Sequence, residues 1–489
     1  MLKRVRIILT VLLLLATVGV DAQVTTASMA GKVTDASNEP IIGATVQAVH
    51  QPSGSRYGTV TNVDGRYSIQ GMRTGGPYRV EISYIGYQTV IYKDITLQLG
   101  EVYNLNVEMS ESSELLNEVI VTAAKTKFTA EKTGATTNIS SAQITQLPTV
   151  NRSISDIARL SPYANGMSFA GGDGRSTNFT IDGANFNNNF GLSSNLPGGG
   201  NPISMDAIEE VQVVVAPFDV RQTNFIGGGI NAITKSGTNT FRGTAYTYYR
   251  NQDMRGNRIN GEDLGARSDE SKTTYGFTLG GPIIKNKLFF FVNYEKEKTP
   301  GEVIKYRARE DGEDAKGMVS RTLKSDMEKV YNHLKDKYGY DAGSYTNFPA
   351  DEENTKLLAR IDWNITDRHR LSLRYNNTKN TAWNAPNGNS SDTGYRLNNT
   401  YRVGTQSMAF ANSMYSMDNK VQSWAADLNS RFTDKISNQL LFTYTNIEDM
   451  RGTNSSPFPF IDIMAGKDEN GNQILEPYMC EEQDYEHYR

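Results

Sequence analysis

The 489-residue sequence holds one cysteine, Cys480, and only four histidines, His50, His333, His369 and His487. A lone cysteine cannot form an internal disulfide, which excludes a disulfide-stapled secreted scaffold. Four scattered histidines and one thiol give a His/Cys metal site nothing to build on, so no cofactor is expected. Charge of one sign is lacking too: 50 basic against 54 acidic residues leave a net charge of −4, with no nucleic-acid footprint. Beyond residue 30 no apolar run approaches the roughly 20 residues that a membrane-spanning helix needs. No nucleophile–histidine–acid spacing stands out, and the glycines match neither GxGxxG nor GxxxxGK(S/T). Neither an enzyme nor a phosphate-binding loop is expected.

What is present points elsewhere. The one long apolar run, residues 7–20, follows Lys3, Arg4 and Arg6 and gives way to Asp21-Ala22. That is the layout of a secretory signal cleaved after Ala22, so the mature chain is expected to be exported. Residues 23–109 then alternate short strands (30–34, 44–48, 57–61, 67–70, 78–83, 88–92 and 102–109) with turn residues such as Asp64-Gly65 and Leu99-Gly100. Seven short strands so spaced predict a small β-sandwich. Asp64 beside Asn62 could ligate calcium, but Asp-Gly is first a turn former. Residues 110–132 open with Ser-Glu-Ser-Ser-Glu and contain Glu118, Val119, Ile120, Val121, Thr122 and Ala123. Such a β-prone stretch is either a locally packed linker or an exposed strand awaiting a partner edge.

Residues 133–238 carry short helical patterns at 144–147 and 151–160, the second with Ile154, Ile157, Ala158 and Leu160 on one side, and then a Gly/Asn-rich region. The stretch 208–239 is the junction between this region and the C-terminal half. An apolar strand at 211–215 behind Glu209 and Glu210 ends at Pro217, and Gly227, Gly228 and Gly229 lead into a strand at 230–235. Close backbone packing explains those glycines better than ligand chemistry does. From Asn239 the pattern becomes long strands of period two: 239–250, 273–282, 287–298, 355–365, 369–378, 421–432 and 437–447. Arg370, Ser372 and Arg374, for example, alternate with Leu371, Leu373 and Tyr375. Links after the second, fourth and sixth strands are short, and those after the first, third and fifth are long. A transmembrane barrel with turns on one side and loops on the other requires this parity. It puts the start of the first strand, and the whole N-terminal half with it, on the periplasmic side.

Three segments, GKVTDASNEPIIGATVQ, TNVDGRYSI and YRVEISYIGYQT, resemble the carboxypeptidase-regulatory-like domain, a transthyretin-like sandwich without zinc ligands. Four more, LPTVNRSISDIARLSP, GRSTNFTIDGANF, MDAIEEVQVVVAPFDVR and GGGINAITKSGTN, resemble in that order the plug of TonB-dependent receptors. The resemblance implies a mainly β, multidomain chain: signal peptide 1–22, transthyretin-like β-sandwich 23–109, linker with a TonB box 110–132, α/β plug 133–238 and a partial transmembrane β-barrel 239–489. A lumen that needs a plug takes about 22 strands, whereas about 8 are filled by their own side chains. The first ~7 strands are thus a third of the wall. The sequence is expected to be a truncated product, a partial gene, or one whose remainder is encoded elsewhere. An open edge is not viable in lipid, so such a chain alone should not transport.

The resemblance further implies energised uptake at the outer membrane, with outer-membrane lipid around the barrel. Glu118 to Ala123 would pair with TonB by strand addition, and Asn187, Asn188 and Asn189 would face the ligand at the plug apex. There the loop is longer than usual in the family, and Ala184 stands where a bulkier residue is common. The domain order resembles the Oar-like branch and the SusC-like transporters of the Bacteroidetes type, which work with a surface lipoprotein and import oligosaccharides or peptides. The aromatic and Asn-rich loop 381–399 would suit sugar stacking. The rival readings are a surface adhesin or structural envelope protein without energised transport, which needs neither box nor plug, and a signalling receptor, which needs a further N-terminal domain.

Overall fold

The computed structural model describes residues 24–111, 119–122, 135–147, 149, 151–188, 195–215, 222, 226–254, 256, 258–263, 271–300, 306–346, 348, 350–384, 403–404, 407–433, 436–459, 461–464, 470, 477–481 and 487–488. The expected signal peptide, Pro217, most of the linker and residues 385–399 of the sugar-stacking loop lie outside the described residues.

Two sheets face each other over the N-terminal core. One holds β1 (Ala27–Asp35), β4 (Arg66–Met72), β7 (Val102–Asn104) and β8 (Val107–Met109). The other runs β3 (Ser55–Val60), β2 (Thr45–His50), β5 (Gly75–Ser83), β6 (Val90–Leu97) and β9 (Val119–Thr122). Inward positions alternate along each strand and supply Met29, Val46, Ala48, Ile69, Val80, Ile82, Ile95 and Val107 to one core. The Asn62–Gly65 turn is closed by Asn62, whose Oδ1 accepts the Asp64 and Arg66 N–H groups. Asp64 thus sits in a turn, as Asp-Gly predicts.

Two strand expectations need correction. Residues 102–109 are two strands, each parallel to β1, broken at Leu105-Asn106. The Leu105 carbonyl bulges over Gly31, where a Cβ would come within 1.9 Å of it, and the Tyr67 hydroxyl donates to it. The strand expected at 88–92 begins later and runs to Leu97, because residues 87–88 are tied instead to Ser110 and Glu111.

The next unit is a five-stranded sheet ordered β10 (Ala135–Ser140), Ile208–Val215, Gly228–Thr234, Asn178–Ile181 and Ala184–Asn185. Both faces of its central strands are covered, and so Ile208–Val215 and Gly228–Thr234 are buried along nearly their whole length, Glu210, Gln212 and Asn231 included. The helix expected over 151–160 is shorter, Ile154–Ala158, capped by Ser153, whose Oγ accepts the Asp156 N–H. The helix expected at 144–147 is Ser141–Gln146. At the triple glycine a Cβ on Gly228 would stand 2.6 Å from the Phe169 ring, and Gly227 has φ +108°. The close packing expected of these glycines is therefore met by Phe169.

The wall is an antiparallel meander: Arg242–Asn251, Ser271–Ile284, Leu288–Thr299, Glu352–Asn364, His369–Asn384, Tyr415–Arg431 and Ser437–Thr453, with a short eighth strand, His487–Tyr488. All seven expected strands are present. Among the described residues its first and last strands do not pair, so the barrel is partial and not closed. Its polarity is inverted relative to a soluble sheet. Leu440, Phe442, Tyr444, Phe277 and Leu373 point outward and exposed, while Thr278, Asn293, Glu295, Asp362 and Arg374 are buried on the other face. Register neighbours Tyr375, Trp424 and Tyr444 form an aromatic row across three strands, with ring centroids 5.2 and 5.6 Å apart. All seven strands extend beyond the expected range at the long-loop end, and His369–Asn384, Tyr415–Arg431 and Ser437–Thr453 do so by six residues. There polar pairs replace apolar alternation: Thr381 and Ser416 both donate to Asp418.

The long link after the third wall strand is not plain loop. It contains Arg307–Arg309, Val319–Leu323 and a helix, Lys324–Tyr338, that stops at Gly339 in the left-handed region. These pack with Met408–Ala409, Ile461–Met464 and Pro477–Glu481 around Met327, Leu334, Tyr340, Phe410, Met414 and Met479. The long-loop end thus carries a small folded unit with its own core.

Candidate functional site: the seat of the inner sheet

The inner sheet meets the wall through buried charge. Asp182 occupies the turn between Ile181 and Ala184 with φ +45°, followed by Gly183, and its N–H donates to Ala232 C=O. Its carboxylate accepts the Thr234 N–H (2.9 Å) and hydroxyl (2.6 Å), which ties the turn to the neighbouring strand. The same carboxylate faces two wall arginines, Arg360 (3.5 Å) and Arg374 (3.6 Å). Arg360 also forks onto Asp362 at 2.9 and 3.0 Å and donates to the Thr234 carbonyl at 2.8 Å. Arg73 of the sandwich reaches the same Asp362 (3.5 Å) and donates to Ser236. Three units therefore share one cluster of charges.

A second cluster lies further along the wall. Lys356, only 1% exposed, donates to Glu295 (3.0 Å) and Glu297 (2.6 Å). Glu295 in turn accepts the hydroxyls of Ser204 of the inner unit (2.8 Å) and of Tyr246 (2.9 Å). Towards the loop end, Asn376 and Thr378 donate to the Pro202 carbonyl and Asn354 to that of Gly198. Arg152 pairs with Asp206 and stacks on Tyr248, 3.9 Å from the ring centroid.

The sandwich closes the short-turn end. Thr25 donates to Asp427 (2.7 Å) and accepts from Gln439 (2.6 Å). Ser55 donates to Asn364, the Asn239 N–H donates to Pro52 C=O, and Arg370 stacks on Tyr57 at 3.7 Å. A cavity of about 420 Å³ remains where the three units meet, lined by Arg73, Asp182, Glu209, Arg360, Arg374 and Asp427 among others.

The sandwich also grips the inner sheet at one backbone position. Glu210 accepts the Leu99 N–H (3.0 Å), and Asn138 and Gln212 donate to the Leu99 carbonyl. Burial, opposed by the hydrogen bonds from Leu99 and Asn138 and helped by Glu101 and Glu209, pushes the Glu210 carboxyl up to about 7. The folded group therefore keeps its proton to a higher pH than the unfolded one. Its contribution to stability is fully present below about pH 4.5 and is lost as pH rises through about 7. We expect Glu210→Gln, which retains both acceptor bonds, to flatten this dependence. The check is the protection factor of the Leu99 amide, its exchange rate relative to the intrinsic rate at each pH, at pH 5 and pH 8: lower at pH 8 in the wild type and equal in the variant, whereas a variant with wild-type pH dependence contradicts it.

The structure locates some of the site residues expected from sequence. Val119–Thr122 is strand β9, paired parallel to β6 of the sandwich; Glu118 and Ala123 lie outside the described residues. Asn187 turns inward: its Oδ1 accepts the Phe179 N–H (2.7 Å), and its Nδ2 donates to Asn178. Asn188 reaches the Asn195 carbonyl at 3.4 Å, and Asn189 lies outside the described residues. Ala184 is buried in the inner core. The seat residues Asp182, Glu295, Lys356, Arg360 and Arg374 were not singled out by sequence reasoning. The available sign was charge on the inward face of strands whose other face is apolar. Among the described residues no three His, Cys, Asp or Glu side chains are grouped to hold a metal ion.

A polar-lined, apolar-coated wall with a sheet seated against its polar face has the make-up of an outer-membrane barrel domain. Comparison with known proteins agrees. Residues 28–110 match the family model of the carboxypeptidase regulatory-like domain, and residues 233–303 match that of an outer membrane beta barrel domain. The TonB-dependent transporter Oar of Myxococcus xanthus is 25% identical over 376 residues, covering 71% of this chain and 33% of that protein. The chain thus spans about a third of the length of the curated relative it matches. Two solved structures are similar only loosely. The outer membrane transporter YddB from Escherichia coli has a TM-score of 0.45 at 16% identity, over 65% of this chain and 40% of its own. The siderophore receptor PirA from Pseudomonas aeruginosa has a TM-score of 0.41 at 15% identity, over 66% and 42%. Neither superposition is close enough to bear on function. The two domain matches and the Oar relative support a TonB-dependent receptor, located in the outer membrane.

Proposed function

We propose that the chain forms part of a TonB-dependent transporter that takes up its ligand across the outer membrane with energy delivered through TonB. The observation that carries this reading is the seat itself. A sheet held in the wall by many buried polar and ionic contacts beside a smaller apolar patch at Phe291, Leu358 and Val421 can leave and return while exposing less greasy surface than a wholly apolar interface would. The short-turn end, closed by the sandwich, faces the periplasm, and the folded loop unit faces outward, where a ligand and a surface lipoprotein of the SusC-like kind would meet it. Residues 133–238 serve as the plug, and Glu118 to Ala123 as the TonB box.

TonB engages an extended backbone, so the critical groups are N–H and C=O rather than side chains. Proline at Val121 removes a donor and fixes φ, whereas alanine there leaves the backbone intact. We expect Val121→Pro to weaken binding of purified TonB C-terminal domain to the receptor at least tenfold, and Val121→Ala to change it less than threefold. Unchanged binding by the proline variant would sink the assignment of the box.

A further inference from the structure

The exit of the chain from the sandwich is itself structured. The Gln88 N–H donates to the Ser110 carbonyl at 2.9 Å, and Tyr87 bridges Glu111, so the chain leaves alongside the start of β6. After residues 112–118 it returns to the same strand. Val119 lies opposite Val90, Ile120 opposite Ile91, Val121 opposite Tyr92 and Thr122 opposite Lys93, all parallel. One backbone edge of the segment that a partner strand would use is therefore already occupied by the protein's own sheet.

We propose that the β6 edge is a built-in competitor for Val119–Thr122: the sandwich sequesters the box, and TonB captures it only after it has left β6. This rests on the reading of that segment as the TonB box. Residues of a strand direct their backbone groups alternately to its two sides. A four-residue strand bound on one edge thus keeps only about two residues for the other, too few to hold a partner by strand addition. The tether decides the competition. A link as short as 112–118 holds the segment near β6 at an effective concentration of about a millimolar, against which a protein partner at micromolar levels must compete. Four residues of pairing are also few enough to be released. β6 carries the box at Val90–Lys93, and beyond Leu97 it runs into the Leu99 turn that Glu210, Asn138 and Gln212 of the inner sheet grip. The strand that holds the box is thus continuous with the point where the inner sheet holds the sandwich.

The test is a reversible lock on the full receptor chain in detergent, probed with purified C-terminal domain of the same bacterium's TonB. Lys93 is exposed and Thr122 is its register partner, so Lys93→Cys/Thr122→Cys in a Cys480→Ser background places two thiols at the spacing of neighbouring strands, about 4.8 Å between Cα atoms. Sequestration expects the disulfide to form, the oxidised receptor to bind TonB at least tenfold more weakly than wild type, and dithiothreitol to restore binding. A second variant leaves both strands untouched: a 40-residue Gly/Ser insertion after Glu114 lowers the effective concentration by about tenfold and should tighten TonB binding several-fold. If the disulfide does not form, or if the verified disulfide and the insertion both leave affinity unchanged, sequestration is overturned. Val121→Pro separates the two ideas. If it loses TonB binding while lock and insertion do nothing, the box stands and sequestration falls; if it binds like wild type, the box assignment itself fails.

Discussion

Asp182→Ala is expected to unseat the inner sheet from the wall. Asp182 is the acid beside Arg374, and it shares Arg360 with Asp362. Removing it leaves Arg374 buried with the Ser423 hydroxyl as its hydrogen-bond acceptor and strips two hydrogen bonds from Thr234. Stranding one partner of a buried ion pair costs about 3–5 kcal/mol. That exceeds what a few remaining polar contacts, at about 1 kcal/mol each, return. The loss has two readouts. The purified protein should melt several degrees lower, and it should become more sensitive to limited proteolysis within the inner sheet, because that sheet is no longer held against the wall. Asp182→Asn should fall between, since its amide oxygen can still accept the Thr234 N–H while the charge is gone. A variant with wild-type melting and no added sensitivity would mean that the network does not hold the inner sheet.

How much of this could be read from the residues depends on which interactions leave a periodic trace. The wall strands did, because lipid on one face and a polar interior on the other force the alternation seen at Arg370–Tyr375, and because turns and loops alternate in length. The strand ends at the loop side did not: around Thr381 and Asp418 the sheet continues on polar pairs, and the apolar beat that marks a strand has stopped. The helix Lys324–Tyr338 was legible but passed over. Met327, Val330 and Leu334 fall on one face and Gly339 ends it, yet these signs sit inside a stretch that strand parity marked as a loop. The glycines of 227–229 could be read as close packing, but their partner Phe169 lies far away in sequence, so nothing local names it. The same holds for the seat. Asp182 belongs to a turn motif that is visible in the sequence, but Arg360 and Arg374 become its partners only once register sets them on the same inward face.

Lys356→Met should be nearly as damaging, by a route that can be tested by compensation. Lys356 is buried against two carboxylates, but these are not equivalent. Glu297 keeps a second cation, Lys272, whereas among the described residues Glu295 otherwise has the hydroxyls of Ser204 and Tyr246. The methionine fills a similar volume, so the loss comes from Glu295 left charged in a low-dielectric site, again about 3–5 kcal/mol. Glu295→Gln alone should cost less than Lys356→Met, because Glu297 still neutralises the lysine. The double variant Lys356→Met/Glu295→Gln removes both charges and keeps an oxygen for Ser204 and Tyr246. It should therefore recover most of the stability lost by Lys356→Met, with a coupling of more than about 1 kcal/mol in the double-mutant cycle. Denaturation midpoints of the four purified proteins measure this directly. If the two losses simply add, Lys356 and Glu295 act independently, and the Ser204 contact is not held in place by the wall's buried lysine.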